Sequence, residues 1–348
     1  MLLALAQVVA GGAVAARLAR GRSRRPPLAA VTTTDKRVSV VIPARDEAAR
    51  IGPCLAGLAE DPDIAEVIVV DDRSSDGTAD VAREHGARVI AGAEPPAGWI
   101  GKPWALQQGL EAAAGDIVVS LDSDTRPRPG LIGALAAALA EADLVTASAR
   151  FVCVSAGERL LHPSMLASLV YRYGPADSPG GRVLSNGQVT AVRRAALLEA
   201  GGYALAASHM TDDAALARGL ADAGWRVVFR DGTDLVDVRM YESAAETWRE
   251  WGRSLALPDV TPAPWQAADL AVVWLTMGLP VLRTLAGRPS RVDLALLAVR
   301  AALLGPLAGA YARRGVPYWL SPLADPATAL RLTLSALRPA RTWRGRTY

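Results

Sequence analysis

The first half of the chain alternates short apolar runs with longer amphipathic ones. Val38 to Ile42, Glu66 to Asp71, Arg88 to Ile90, Asp116 to Asp122 and Asp143 to Ala149 are short, β-branched and bounded by turn residues, the pattern of buried strands. Between them lie segments with helix-end signals. Asp76 stands where it can cap a helix that stops at Gly86, and Pro103 can open one that stops at Gly115. Strand and helix in alternation predict an α/β domain with a mostly parallel sheet and helices on both faces.

The flanking regions follow a different pattern. Leu2 to Ala16 is almost wholly apolar and is followed by Arg17, Arg20, Arg22, Arg24 and Arg25. The run is shorter than the ~17 to 25 residues of a membrane span, which predicts an anchor or an interfacial helix. Its charges follow the apolar stretch, so cleavage and export are not expected. A basic cluster of this kind stays on the cytosolic side. Beyond Trp265 come two long apolar segments, Ala267 to Leu285, interrupted by Gly278-Leu279-Pro280, and Leu294 to Ala312, interrupted by Arg300. Two full spans would carry Arg288 and Arg291 outward, whereas a hairpin inserted from the cytosolic side would not. A third segment, Tyr318 to Leu337, contains Asp325-Pro326 and leads into Arg338, Arg341, Arg344 and Arg346, as an interfacial helix would. The expected division is an anchor with its basic cluster at 1–36, a catalytic domain at 37–260 and membrane-associated helices at 261–348.

Composition agrees with membrane association: 51% of the 348 residues are hydrophobic. The net charge is only +3, and no basic run interleaved with aromatics offers a nucleic-acid surface. Basic residues lie instead beside apolar segments, where anionic lipid is the expected partner. Cys54 and Cys153 are the only cysteines, without metal-ligand spacing, and read as reduced thiols. Of the 38 basic side chains only Lys36 and Lys102 are lysines.

The candidate chemistry sits at strand ends. Asp71-Asp72 closes the second strand and Asp122-Ser123-Asp124 the fourth, which carries carboxylates to the rim of the sheet where open α/β folds bind ligands. An Asp-x-Asp pair can reach one hard divalent cation and leave coordination positions open for diphosphate oxygens. This is the chemistry of a sugar-nucleotide site. Pro43-Ala44-Arg45-Asp46-Glu47 leaves the first strand at the same rim and can line a base or ribose pocket. Lys102, at the start of a helix, suits an anionic diphosphate. Asp212 and Asp213 fall in the first turn of another helix, a position that also favours acids through the helix dipole.

From Val38 to about Trp251 the chain resembles an inverting family 2 glycosyltransferase of the GT-A type. The resemblance rests on Val41-Ile42-Pro43-Ala44-Arg45-Asp46-Glu47, on Val70-Asp71-Asp72 with Ser74, Asp76, Gly77 and Thr78, on Asp122-Ser123-Asp124 and on Thr211-Asp212-Asp213. Gly98 to Ala105 and the apolar C-terminal part are most similar to membrane-bound enzymes of carotenoid and hopanoid pathways.

The resemblance implies a role for each matching residue. Pro43, Ala44 and Glu47 fall on nucleotide-contacting positions, although Arg45 and Asp46 depart from the family's Tyr-Asn. Asp72 falls where the nucleobase is recognised, and Lys102 in a segment beside the nucleotide. Asp124 matches a ligand of Mg²⁺ or Mn²⁺ bridging the diphosphate, with Asp122 assisting through metal or ribose. Asp213 matches the general base. Asp212 reads as a helix-capping acid or an acceptor-side contact, with Thr211 the alternative cap.

Asn186, Gly187, Gln188, Gly201 and Gly202 resemble the acceptor-side wall, with glycines that admit backbone close to substrate. Trp248, Trp251 and Arg253 stand where processive relatives carry Gln-x-x-Arg-Trp, which is absent here. They are acceptor or diphosphate contacts, or aromatic packing. A single sugar transfer is therefore expected over polymer synthesis.

The implied function is transfer of one sugar from a nucleotide-sugar donor, expected to be a UDP-sugar, to an isoprenoid or triterpenoid lipid. It would take place at the cell membrane with the catalytic domain cytosolic. The alternatives are a polyprenyl-phosphate acceptor, a polysaccharide synthase, and a non-catalytic sugar-nucleotide-binding membrane protein.

Overall fold

The strands form where β-branched residues cluster. In the computed structural model, which describes residues 1–59 and 61–338 and the backbone of 342–343 and 346–347, β1 spans Val38–Ala44, β2 Ile64–Asp71, β3 Arg88–Ala91 and β4 Ile117–Leu121. Arg341 and Arg344 of the terminal basic run, and the side chain of Arg346, lie outside the described residues. Three further strands, Leu144–Ser148, Val189–Arg193 and Val227–Asp231, complete a seven-stranded sheet. Its order is β3, β2, β1, β4, then Val189–Arg193, Leu144–Ser148 and Val227–Asp231.

β1 pairs in parallel with both β2 and β4, and β2 with β3. Val189–Arg193 runs antiparallel to β4 on one side and to Leu144–Ser148 on the other. The chain leaves β1 toward β2 and β3 and later returns to its other edge with β4, so the polarity of connections switches between β1 and β4. Ligands of open α/β sheets bind outside the strand ends at such a point.

Helices connect these strands: α2 spans Ala48–Leu58, α3 Thr78–Glu84 and α4 Gly101–Ala112, after an N-terminal α1 at Leu2–Ala19. Close packing of α4 on β1 requires Gly109, because a Cβ there would overlap the Val41 side chain. The expected Asp76 cap is replaced by a different arrangement. Gly77, at φ +79°, occupies the N-cap, and Asp76 accepts from the N–H groups of Ala48 and Thr78 and from the Thr78 hydroxyl. One turn acid thereby serves the starts of both α2 and α3.

Contacts divide the chain into two compact units. The sheet unit comprises Arg25–Arg150 and Val183–Met240. The other is helical and gathers Met1–Arg24, Phe151–Arg182 and the chain from Tyr241 through the helix Asp325–Leu337.

Within the helical unit, three helices among the described residues are long and apolar enough to cross a membrane: Leu2–Ser23, Ala263–Leu285 and Arg291–Ala310. The first outruns its apolar stretch because arginine is a good helix former and the helix continues through Arg17 to Ser23. Gly278-Leu279-Pro280 does not interrupt the second. A π-helical turn at Trp274–Gly278 precedes Pro280, and such a turn absorbs the irregularity that a missing N–H imposes. Gln7 ties all three together, donating to Leu275 O (3.2 Å) and Asp293 Oδ1 (2.8 Å).

Arg300, the other interruption, is fully buried and meets Asp325 through two bonds of 2.9 and 3.1 Å. Ser164 donates to the same carboxylate at 2.7 Å. Removing one member of a buried pair strands the other's charge, whereas replacing both does not. Arg300→Leu is therefore expected to destabilise the helical unit by about 3 to 5 kcal/mol, and Arg300→Leu with Asp325→Leu to recover most of that loss. Thermal unfolding of the three proteins in detergent checks it. Equal destabilisation by single and double variants would contradict the pairing.

Candidate active site

The rim carrying the carboxyl ends of β1, β2 and β4 collects most of the residues singled out from sequence. β1 delivers Pro43 and Ala44, and the Ala44 carbonyl accepts from the Asp72 N–H at 2.8 Å, locking the two strand exits together. Arg45, the departure from the family pattern, donates to the Asp72 carbonyl at 2.6 Å. Asp46 has φ +52° and Arg73 φ +61°, a conformation uncommon outside glycine. Cross-bonds hold this strained pair of turns: Ser74 Oγ accepts from the Asp46 N–H (2.9 Å), and Asp46 Oδ1 accepts from the Ser75 N–H (2.7 Å). Glu47 is buried, donates from its N–H to Thr78 Oγ1 (2.8 Å) and faces Arg50 at 3.3 Å.

Lys102 occupies the centre of the next cluster. Its ammonium lies 2.7 Å from Asp122 Oδ1, with the side chains only 19% and 26% exposed, too sheltered for solvent to screen them as a surface pair. Burial alone would lower the Lys102 pKa, but Asp122, Asp212 and Asp213 around it outweigh burial and raise it. Asp122 itself is positioned by backbone: its N–H donates to Gln188 O (3.1 Å), and its carbonyl accepts from Thr125 Oγ1 (2.7 Å).

Asp124 differs from its neighbour in having a buried oxygen, Oδ1, with no hydrogen-bond partner. Burial, then the nearby carboxylates of Asp122 and Glu47, push its pKa up. An unpartnered carboxylate oxygen among like charges fits a bound cation, which would relieve both penalties. Among the described residues no group of three or more His, Cys, Asp or Glu side chains could hold a metal ion by itself. Asp122 and Asp124 alone would leave most of a divalent cation's oxygen positions to substrate and water.

Asp212 and Asp213 occupy the first turn of the helix Asp212–Asp222. Thr211 stands at the N-cap position without making a side-chain capping bond to the helix. Burial raises the pKa of both acids, and Lys102 opposes it in each. They differ in their contacts, because Asp213 Oδ2 accepts from the Gly187 N–H at 2.9 Å. A side chain at Gly187 would be tight: a Cβ would stand 3.1 Å from Asp213 Cβ and 3.4 Å from Lys102 Nζ.

The remaining residues singled out from sequence have other surroundings. The close backbone approach at Gly202 is made to the Gln107 side chain, which also accepts from the Tyr203 N–H (2.8 Å), and not to open space for a ligand. Trp251 and Arg253 belong to the helical unit, where Trp251 packs on the ring of His162 (centroids 4.5 Å apart) and Arg253 bridges to Glu250 (3.0 Å). Cys54 and Cys153 are both free and buried, and burial pushes the Cys54 thiol up to about 12. A cavity of about 830 Å³ lies at the opposite edge of the sheet, lined by Lys36, Gly115, Asp116 and Arg193 among others, and includes none of these carboxylates.

One participant escaped sequence reading. Thr146 Oγ1 accepts from the Asn186 N–H (2.8 Å) and donates to the Asn186 carbonyl (3.0 Å), bracing the turn that holds Asp213. A threonine in a strand carries no signal of such a role, since strands favour it anyway.

Comparison with known proteins matches residues 39–202 to the model of the family described as Glycosyl transferase family 2. A 4,4'-diaponeurosporenoate glycosyltransferase of Staphylococcus haemolyticus is 28% identical over 70% of this chain and 67% of its own. One from Staphylococcus aureus is 28% identical over 67% of this chain and 65% of its own. The match thus spans about two thirds of the length of these relatives. Among solved structures, the mannosyltransferase of Pyrobaculum calidifontis, in complex with GDP-Man and Mn²⁺, shares the fold with a TM-score of 0.56 at 21% identity, covering 97% of this chain and 99% of that one. The α/β sheet, its rim of carboxylates and these likenesses agree: residues 39–202 match glycosyl transferase family 2, and the fold is that of the GT-A glycosyltransferases.

Proposed function

We propose that the protein is an inverting, cation-assisted glycosyltransferase that moves one sugar from a nucleoside-diphosphate donor, a UDP-sugar, to an isoprenoid or triterpenoid lipid at the cytosolic face of the membrane. The observation that carries this reading is the convergence of Asp122, Asp124, Lys102 and Asp213 at one rim of the sheet. Asp72 and the β1 exit would take the nucleobase and ribose, and Lys102 the diphosphate. Asp124, aided by Asp122, would hold Mg²⁺ or Mn²⁺, which neutralises charge on the departing diphosphate.

The transfer step then follows from the acid that remains. Asp213 Oδ2 is held by the Gly187 N–H, which orients the carboxylate that would take the proton of the acceptor hydroxyl. The acceptor oxygen forms its bond to C1 of the sugar as the C1–O bond to the diphosphate breaks on the opposite face. The nucleoside diphosphate leaves with that electron pair, so the anomeric configuration inverts.

Three considerations support a lipid acceptor and this orientation. The relatives named above are diaponeurosporenoate glycosyltransferases. Three helices among the described residues are apolar and long enough to cross a membrane, and exposed Leu5, Val8, Val9, Leu285, Leu294 and Trp319 give the helical unit an apolar exterior. The arginines from Arg17 to Arg25 favour the cytosolic side.

Membranes carrying the protein, incubated with a panel of labelled UDP- and GDP-sugars, are expected to yield label in the organic extract with one UDP-sugar and a divalent cation. Label confined to water-soluble product or to polymer would overturn the acceptor assignment. Label from a GDP-sugar alone would overturn the donor.

A further inference from the structure

The turn Asn186-Gly187-Gln188 touches both ends of the reaction. Through the Gly187 N–H it holds Asp213 Oδ2, and through the Gln188 carbonyl it accepts from the Asp122 N–H. The second contact continues the ladder between β4 and Val189–Arg193, where Leu121 faces Val189, so the sheet itself secures it. The first has no ladder behind it.

The Gly187 end depends instead on Asn186. The Asn186 side-chain amide donates to the Ala147 carbonyl (2.9 Å) and to Gln188 Oε1 (3.1 Å), and its Oδ1 accepts from the Gln188 N–H (3.3 Å). Its backbone N–H donates to Thr146 Oγ1, and its C=O accepts from that same hydroxyl (3.0 Å) and from the Val189 N–H (3.3 Å). Thr146 is fully buried on the strand Leu144–Ser148.

We propose that Thr146 is a positioning residue for the transfer step, acting through Asn186 and Gly187 to fix which oxygen of Asp213 faces the acceptor. The inference rests on the reading of Asp213 as the base. A carboxylate turns easily about its last torsion, which has two broad, nearly equivalent settings. The Gly187 N–H holds Oδ2 from across the fold, whereas the other backbone bond to this carboxylate comes from the adjacent Ala214, and the Lys102 charge acts on the group nearby. The role requires one atom that donates and accepts together. A hydroxyl does so, and the isosteric valine does neither.

Thr146→Val and Thr146→Ser in the full-length protein separate positioning from folding. The rate of label transfer into membrane lipid is read at saturating donor, and affinity for UDP with Mn²⁺ by calorimetry. Thr146→Val is expected to lose ~10- to 100-fold in transfer rate, the scale of misplacing a reacting group, with UDP affinity unchanged. Thr146→Ser is expected to transfer at the parental rate.

Parental transfer by Thr146→Val, whatever its melting temperature, overturns the proposal. So does a loss of UDP affinity in step with rate, or equal failure of Thr146→Ser, because each marks a merely structural residue. Asp213→Asn measured alongside keeps the two readings apart. A slow Asp213→Asn beside an unaffected Thr146→Val defeats the positioning role alone, whereas an active Asp213→Asn defeats the base assignment and the positioning role with it.

Discussion

Asp213→Asn is expected to slow sugar transfer by ~10²- to 10⁴-fold, the range attributed to general base catalysis, while donor and cation binding persist. The amide is nearly isosteric and can still accept from the Gly187 N–H, so the turn at 186–188 has no reason to move. What it cannot do is take a proton from the acceptor hydroxyl. Asp212→Asn is the internal control, because the two acids share a helix turn, a buried setting and Lys102, and differ in that only Asp213 is oriented by Gly187. Asp212→Asn is expected to retain most of its transfer. Transfer lost in Asp212→Asn and kept in Asp213→Asn would shift the base by one residue. Transfer kept in both would sink the inverting mechanism.

Asp124→Asn is expected to remove the dependence of donor affinity on Mn²⁺, a loss beyond the ~10- to 100-fold typical of residues that merely support a metal ligand. The same substitution should not weaken the empty protein. Asp124 is buried beside Asp122 and Glu47, which raise its pKa, and a neutral amide removes that repulsion without removing volume. Melting with and without Mn²⁺ and UDP reads both effects, since a ligand that binds only the folded state raises the melting temperature. The parent should gain stability on addition, and the variant should start at least as high and gain nothing. A variant that keeps the parent's Mn²⁺-dependent affinity would refute the ligand role.

The sequence made the first strands readable because they are buried on both faces and rich in β-branched residues. Val38–Ala44, Ile64–Asp71 and Ile117–Leu121 fall within two residues of expectation. Val227–Asp231 is only half-buried along its length, and Val189–Arg193 is a five-residue run broken by Thr190 and ending in Arg193, with neither a clean alternation nor a continuous apolar stretch, so neither produced a signal strong enough to read.

The site was legible as separate acids and one lysine. Their pairing was not, since Lys102 and Asp122 meet only when α4 and β4 are packed, and Gly187 reaches Asp213 across 26 positions of chain. The same holds in the helical unit. Arg300 looked like a flaw in an apolar segment because a hydropathy window cannot see Asp325, its partner 25 residues on.

One strand of reversed polarity has a consequence for how this enzyme could change over time. Val189–Arg193 runs against β4, so the chain arrives at the rim at the beginning of that strand and not at its end. The residues proposed for the donor therefore lie in one stretch of gene, from Pro43 to Asp124, and those proposed for the acceptor side in another, from Asn186 to Asp213. Selection can act on the two stretches with little interference, retaining one activated sugar while the molecule that receives it is exchanged.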